Sequence, residues 1–210
     1  SYPNTVSQII KFQRPYTAFT FLILFAFAST LIFSKASAQT PSPNLLTHFT
    51  FEEGTGLTTL DTSGNGHTGT LLNGTQWTTQ GHSGKALLFD GSNDRVVVPN
   101  NPSLNPTGNK LTMIAWAKVT STAPASKMIF GKYGPSGQQY LLRTQDSNNH
   151  IRFGVRAGGT FSTLDAPSVS LSTNTWHHVA GVYDGAQMRI YLNGNLVAST
   201  AKTGNLDVTA

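Results

Sequence analysis

Cysteine is absent from the 210-residue chain, which excludes a disulfide framework, a thiolate metal centre and a cysteine nucleophile together. Charge is also scarce, at 11% of residues. The formal net charge of +5 overstates how basic the chain is, because Lys11, Arg14 and Lys35 all fall in the first 38 residues, which carry no acid. The remainder is nearly neutral and has no basic stripe that could track a phosphate backbone, so nucleic acid is set aside as a partner. No amphipathic helical period stands out beyond Leu45. What the chain does contain is 38% hydrophobic and 10% aromatic residues with 20 glycines. That is too apolar for a disordered segment and rich in residues that suit tight turns.

The one long hydrophobic run, Tyr16 to Phe33, follows Lys11 and Arg14 and precedes Ala36-Ser37-Ala38. A cationic start, an apolar stretch and small residues at the end are the layout of a secretory signal peptide. The expectation is a signal segment over residues 1–38 that forms a helix in the translocon and is cut before Gln39. The competing reading is a retained anchor, since 18 helical residues span about 27 Å of a roughly 30 Å hydrocarbon core. Gln39 to Asn44 reads as a short proline-containing linker. The mature chain is then expected outside the cell, secreted or at the cell surface, and free of the membrane.

From Leu45 onward short strand-like runs alternate with Gly, Asn, Asp and Pro clusters. Ile151 to Arg156 alternates cleanly, with Ile151, Phe153 and Val155 on one face and both arginines on the other. Leu111 to Val119 reads as apolar on both faces, as a central strand would be. Further strands are expected at Thr47 to Phe51, Ala86 to Phe89, Arg95 to Val98, Lys127 to Phe130, Tyr140 to Thr144, Trp176 to Tyr183 and Gln187 to Leu192. Asp184-Gly185 and Asn193-Gly194 supply turns for two consecutive hairpins. The fold class expected is all-β, an antiparallel two-sheet sandwich or jelly roll.

Six fragments in order, FEEGTG at Phe51, DTSGNGHTG at Asp61, FDGSNDRVVVP at Phe89, LTMIAWAKV, WHHVAGVYDG and MRIYLNGNLV, resemble the laminin-G-like, concanavalin-A-like jelly-roll domains of secreted and surface proteins. The resemblance implies two antiparallel sheets face to face, a domain over residues 45–210, and ligand or metal sites on rim loops and the concave face. Members of that family continue past the last hairpin, so the chain reads as incomplete at its C-terminus, with open strand edges. The resemblance also places Trp176 as an anchor of the core, with one of His177 and His178 hydrogen-bonded inside.

Asp61, Asn65 and their neighbours offer a carboxylate, an amide and backbone carbonyls in one turn. Oxygen ligands of this kind suit a structural Ca²⁺, which takes about 6 to 8 of them. The plain alternative is that Asp61 is an Asx-turn residue serving its own loop. By the resemblance Glu52, after the first strand, is a half-site for Ca²⁺ in the same sense. Asp90 to Asp94 reads as a structural turn.

A catalytic role is not expected. No Ser, His and acid trio or nucleophile elbow is present, and no strand places alternate acids toward a cleft at the spacing a glycosidase needs. Recognition remains. Sugar sites combine an aromatic plate with planar hydrogen-bonding groups, and Tyr140, Arg143, Arg152 and Arg156 have that chemistry, as do Tyr133 and Tyr191. The function expected is a secreted, non-catalytic module that binds carbohydrate or an extracellular protein partner, as part of a larger polypeptide. The alternatives are an adhesive spacer without a ligand of its own and a fragment of a polysaccharide-degrading enzyme.

Overall fold

Period-two burial organises the body. Leu111–Val119 buries every odd-numbered side chain and leaves Thr112 and Ile114 exposed, because successive side chains of a strand leave opposite faces. The computed structural model describes residues 8–11, 44–122, 126–134 and 137–207. Of the signal segment expected over residues 1–38 only Gln8–Lys11 is described, as a strand, and the hydrophobic run Tyr16 to Phe33 and the cleavage site lie outside the described residues. No helix among the described residues is long and apolar enough to cross a membrane.

One sheet has five strands in the order β1 (Gln8–Lys11), β7 (Leu111–Val119), β12 (Trp176–Tyr183), β13 (Gln187–Leu192) and β14 (Asn195–Ala201). A second has four, β11 (Thr160–Ser170), β10 (His150–Ala157), β9 (Gly137–Thr144) and β8 (Met128–Gly134). Smaller pairings complete the set: β2 (Thr58–Thr59), β3 (Gly69–Leu72) and β6 (Arg95–Val97) form one sheet, and β4 (Gln76–Thr78) pairs with β5 (Ala86–Leu88). The pairings within these sheets are antiparallel. The molecule is an all-β jelly-roll sandwich, as its turns and alternation imply.

The two large sheets meet through their inner faces. Phe153 of β10, fully buried, lies against Gly181 of β12, where an added Cβ would stand 2.4 Å from the ring. Val179, Ile190, Met113, Ile151 and Val155 fill the same core. Hydrophobic burial of this kind contributes about 1.5 to 3 kcal/mol per large side chain and is what holds the layers together. The Asn193-Gly194 turn closes the last hairpin with φ of 51° and 84°, the double positive φ that a two-residue turn needs to match strand twist.

Three sequence expectations change. Thr47 to Phe51 is not a ladder strand: only Phe49 bridges Asp61, and Phe51 sits at φ 54°. Its two phenylalanines nevertheless stack with centroids 6.0 Å apart and join the core. Leu111–Val119 is not apolar on both sides in effect, since its outer face reaches solvent at Thr112 and Ile114. Trp176 is not in the core. It leaves β12 on the outer face, while His177 points inward, 7% exposed, with its ring nitrogens 3.0 Å from Ser172 Oγ and 3.3 Å from Asn193 Nδ2. Trp176 and His177 are neighbours on a strand, so only one of them can face in.

Candidate functional site

The Asp61 turn shows where its carboxylate is committed. Oδ1 accepts the N–H of His48 and of Ser63, both at 2.9 Å, and Oδ2 accepts Ser63 Oγ–H at 2.8 Å and the His67 N–H at 3.1 Å. Burial alone would raise this acid, but the N–H groups of His48, Ser63 and His67 outweigh it and hold the carboxyl below its ordinary value. Asn65 spends its amide nitrogen on the carbonyls of Leu45 and Leu46 at 2.6 and 3.0 Å. Glu52 accepts the Lys85 N–H at 3.0 Å.

The three residues expected to hold Ca²⁺ are thus engaged by different parts of the chain, Asp61 by His48, Ser63 and His67, Asn65 by Leu45 and Leu46, and Glu52 by Lys85. A carboxylate offers about four lone-pair sites, and those of Asp61 already take four donors. The donor set does not fit Ca²⁺, and Asp61 stitches the segment after Asn44 to the turn before β3. Among the described residues no three His, Cys, Asp or Glu side chains cluster for a metal.

All nine acids of the chain can be followed in this way. Glu53 accepts Thr59 Oγ1–H and Leu60 N–H. Asp90 accepts Ser92 N–H, and Asp94 accepts Asp90 N–H. Asp146 takes Asn148 N–H and the His150 ring, and Asp207 takes Gly159 N–H. Asp184 receives Ala186 N–H, Gln187 N–H and Arg189. Asp165 pairs with Arg152. Each carboxylate serves a turn, a strand end or an ion pair.

Three of the four side chains singled out for ligand contact come together on the outward face of the four-stranded sheet. Arg143 of β9 and Arg152 of β10 are direct cross-strand partners. Arg152 is paired in turn with Asp165 of β11 and donates to it in fork geometry, Nε at 2.5 Å and Nη2 at 2.6 Å. Arg156, two positions further along the same face, donates Nε to the Gln138 carbonyl at 3.0 Å and lies 5.9 Å over the Phe161 ring. That ring reaches across Gly154, where a Cβ would stand 2.6 Å from it. The glycine thus lets an aromatic lie flat on the sheet. Tyr133, on the edge strand β8, is 48% exposed and supplies an open ring.

Tyr140 does not join them. It pairs with Val155, packs against the core and donates its hydroxyl to the Leu104 carbonyl at 3.0 Å. Burial pushes its phenol up to about 12. One residue of offset from Arg143's parity turns it to the inner face. Tyr191 belongs to β13 of the other sheet.

Sequence reading passed over a second aromatic group. On the outer face of β7 and β12, His82 from the β4–β5 loop stacks on Trp116 with centroids 3.5 Å apart and planes at 14°. His178 meets Trp116 edge-on at 5.3 Å, and Lys118 sits 5.4 Å over Trp176. Burial, then His82, pushes His178 down. The signal was present as the alternation Thr112, Ile114, Trp116, Lys118, but the partner loop lies about thirty residues upstream and sequence spacing does not connect them. The rings here cover one another.

The small recess between residues 66–68 and 98–101, about 160 Å³, is flanked by His67, whose Nε2 is 2.9 Å from Ser103 Oγ. Asn101 accepts both the N–H and the Oγ–H of Ser103 at 3.0 and 2.8 Å. Asn101 thereby caps the 3₁₀ turn Pro102–Leu104. The Ser103 hydroxyl proton is already given to that amide and not to the histidine, the reverse of an activated nucleophile.

A botulinum neurotoxin serotype D binding domain is similar at 21% identity over 71% of this chain and 39% of that chain, with a TM-score of 0.42. Domains LG4-5 of the mouse laminin alpha1 chain are similar at 10% identity over 73% of this chain and 54% of theirs, with a TM-score of 0.34. The chain spans less than two thirds of either structure. No curated protein matches. The model of the Laminin_G_3 family, described as concanavalin A-like lectin/glucanases superfamily, matches residues 90–210. Its match runs from the Asp90 turn through both large sheets, and the chain belongs to that laminin-G-like family of the concanavalin A-like superfamily.

Proposed function

We propose that this domain is a secreted, non-catalytic module that recognises carbohydrate on the outward face of β8–β11. One observation carries the reading: Arg143, the Arg152–Asp165 pair and Arg156 over Phe161 share that face, with the exposed Tyr133 ring on the edge strand β8 of the same sheet. An exposed ring packs on the C–H face of a pyranose, and guanidinium and carboxylate groups donate to and accept from its hydroxyls. The bidentate Arg152–Asp165 pair is preorganised, so little side-chain entropy is lost when a ligand adds to it. The commitment of all nine acids to local donors supports recognition without bond cleavage. The signal layout of the first 38 residues supports export.

A glycan array probed with the purified protein, followed by titration calorimetry of the glycans retained, tests the reading. Expected is saturable binding that Arg156→Ala and Tyr133→Ala each weaken about tenfold, the loss of one good contact at about 1.4 kcal/mol. Binding untouched by either substitution, or no retained glycan, contradicts it.

A further inference from the structure

Lys127 and Asn149 are polar, almost wholly buried at 3% and 0% exposure, and in contact with each other. Lys127 Nζ lies 2.7 Å from Asn149 Oδ1 across a separation of 22 positions. Left-handed backbone sets both in place: Ser126, immediately before the lysine, has φ 71°, and Asn149 itself has φ 58°. Serine rarely takes that conformation, and here it costs stability beside a buried amine. The lysine backbone is locked to Thr144, giving its N–H to Oγ1 and its carbonyl to the Thr144 N–H. Among the described residues no carboxylate is paired with this ammonium, and a buried cation without one is unfavourable. Burial pushes its pKa down, toward the uncharged amine that acts as a nucleophile. The amide nitrogen of Asn149 is loosely held, by the carbonyls of Ser121 and Leu171 at 3.4 Å each.

We propose that Lys127 and Asn149 condense into an amide cross-link between their side chains. Nζ adds to Cγ of Asn149, the Cγ–Nδ2 bond breaks, and the departing nitrogen takes the proton that the amine gives up and leaves as ammonia. Nothing is oxidised or reduced. Both nitrogens donate to the Ser121 carbonyl, which sets the source and the recipient of that proton side by side. Holding amine and amide together replaces a bimolecular encounter with an effective concentration of about 10⁵ M or more, and the dry surroundings keep hydrolysis from competing. The product exchanges a buried charge for a neutral amide. It also ties the entry to β8, the edge strand of the four-stranded sheet, to the turn before β10. In a chain without cysteine such a link restrains the unfolded state as a disulfide would.

Tryptic mapping of the denatured protein by mass spectrometry tests the proposal. Expected is one branched peptide, Val119–Lys132 joined to Thr144–Arg152, lighter by one ammonia than the two together and fragmenting to a bond between Lys127 and Asn149. Mapping is needed because cyclisation of an N-terminal Gln39 or of an Asn-Gly pair also releases ammonia from the intact chain. Lys127→Arg keeps the positive charge but not the amine, and is expected to abolish the branch; the readout is taken on unfolded chain and does not depend on how well the variant folds. Linear peptides alone, from freshly purified and from long-incubated protein alike, overturn the proposal, as does a branch that survives Lys127→Arg.

Discussion

Arg143 and Arg152 oppose each other across β9 and β10, and Asp165 clasps only one of them. If Asp165 neutralises the strand pair as a whole, Asp165→Asn should destabilise the domain through unrelieved repulsion between the two arginines. The side chain of Asp165 is 40% exposed, which holds the expected loss to about 1 kcal/mol. Urea denaturation of Asp165→Asn, Arg143→Gln and the double variant forms a cycle in which the second substitution recovers part of the first loss. Strict additivity would show that Asp165 does not act on Arg143.

Lys127 supplies a second test. It is 3% exposed, donates Nζ to Asn149 Oδ1 at 2.7 Å and also to the Ser121 carbonyl, and burial pushes its pKa down. Asn149, fully buried at φ 58°, ties this ammonium to the Leu171 carbonyl. Asn149→Ala leaves a buried cation short of an acceptor and puts a Cβ residue without a local hydrogen bond in the left-handed region. The expected cost is about 3 kcal/mol, read as a fall in urea midpoint at unchanged m-value.

The Gly181–Phe153 contact predicts intolerance of even one methyl group. Gly181→Ala places Cβ 2.4 Å from the ring, and overpacking of this kind costs about 1 to 3 kcal/mol. Thermal melts of Gly181→Ala and of Gly181→Ala with Phe153→Leu check it: the second change should return part of the lost stability by making room.

Acid titration has a defined sign at two carboxylates. The Ala186 N–H, the Arg189 side chain and the Gln187 N–H hold Asp184 at about 2, below its ordinary value of 3.8, and Asp61 is lowered in the same direction. A group depressed in the folded state contributes stability that is present above its unfolded value and lost as pH falls through the folded one. Stability should therefore decline as pH drops from about 4 toward 2, and Asp184→Asn should flatten part of that decline. Added Ca²⁺ should leave the melting temperature unchanged, because the Asp61 carboxylate is occupied by the loop.

The sandwich was legible because alternation and turn chemistry are local. Asn193-Gly194 names its turn, and β7, β12 and β13 fall where the periodicity puts them. Arg152 and Arg156 were legible for the same reason, being two and six residues along one alternating strand from His150. Tyr140 was not, because its face depends on the register of β9 against β10, which a sequence does not display. The fate of Asp61 was not legible either: whether a turn carboxylate is taken by His48, thirteen residues upstream, or left for a cation is decided by how Thr47 to Phe51 passes it. Trp116 and His82 meet only because the β4–β5 loop folds over β7, a long-range contact with no local signal.

Binding is assigned to one face of one sheet. Titrating the best-bound glycan into ¹⁵N-labelled protein and following every amide, arginine side-chain and indole signal tests it most directly. The predicted result is that shifts concentrate on Tyr133, Arg143, Arg152, Arg156 and Phe161, while the indole signals of Trp116 and Trp176 stay in place. Shifts confined to Trp116, Trp176 and His178, or none on β8–β11, would contradict it.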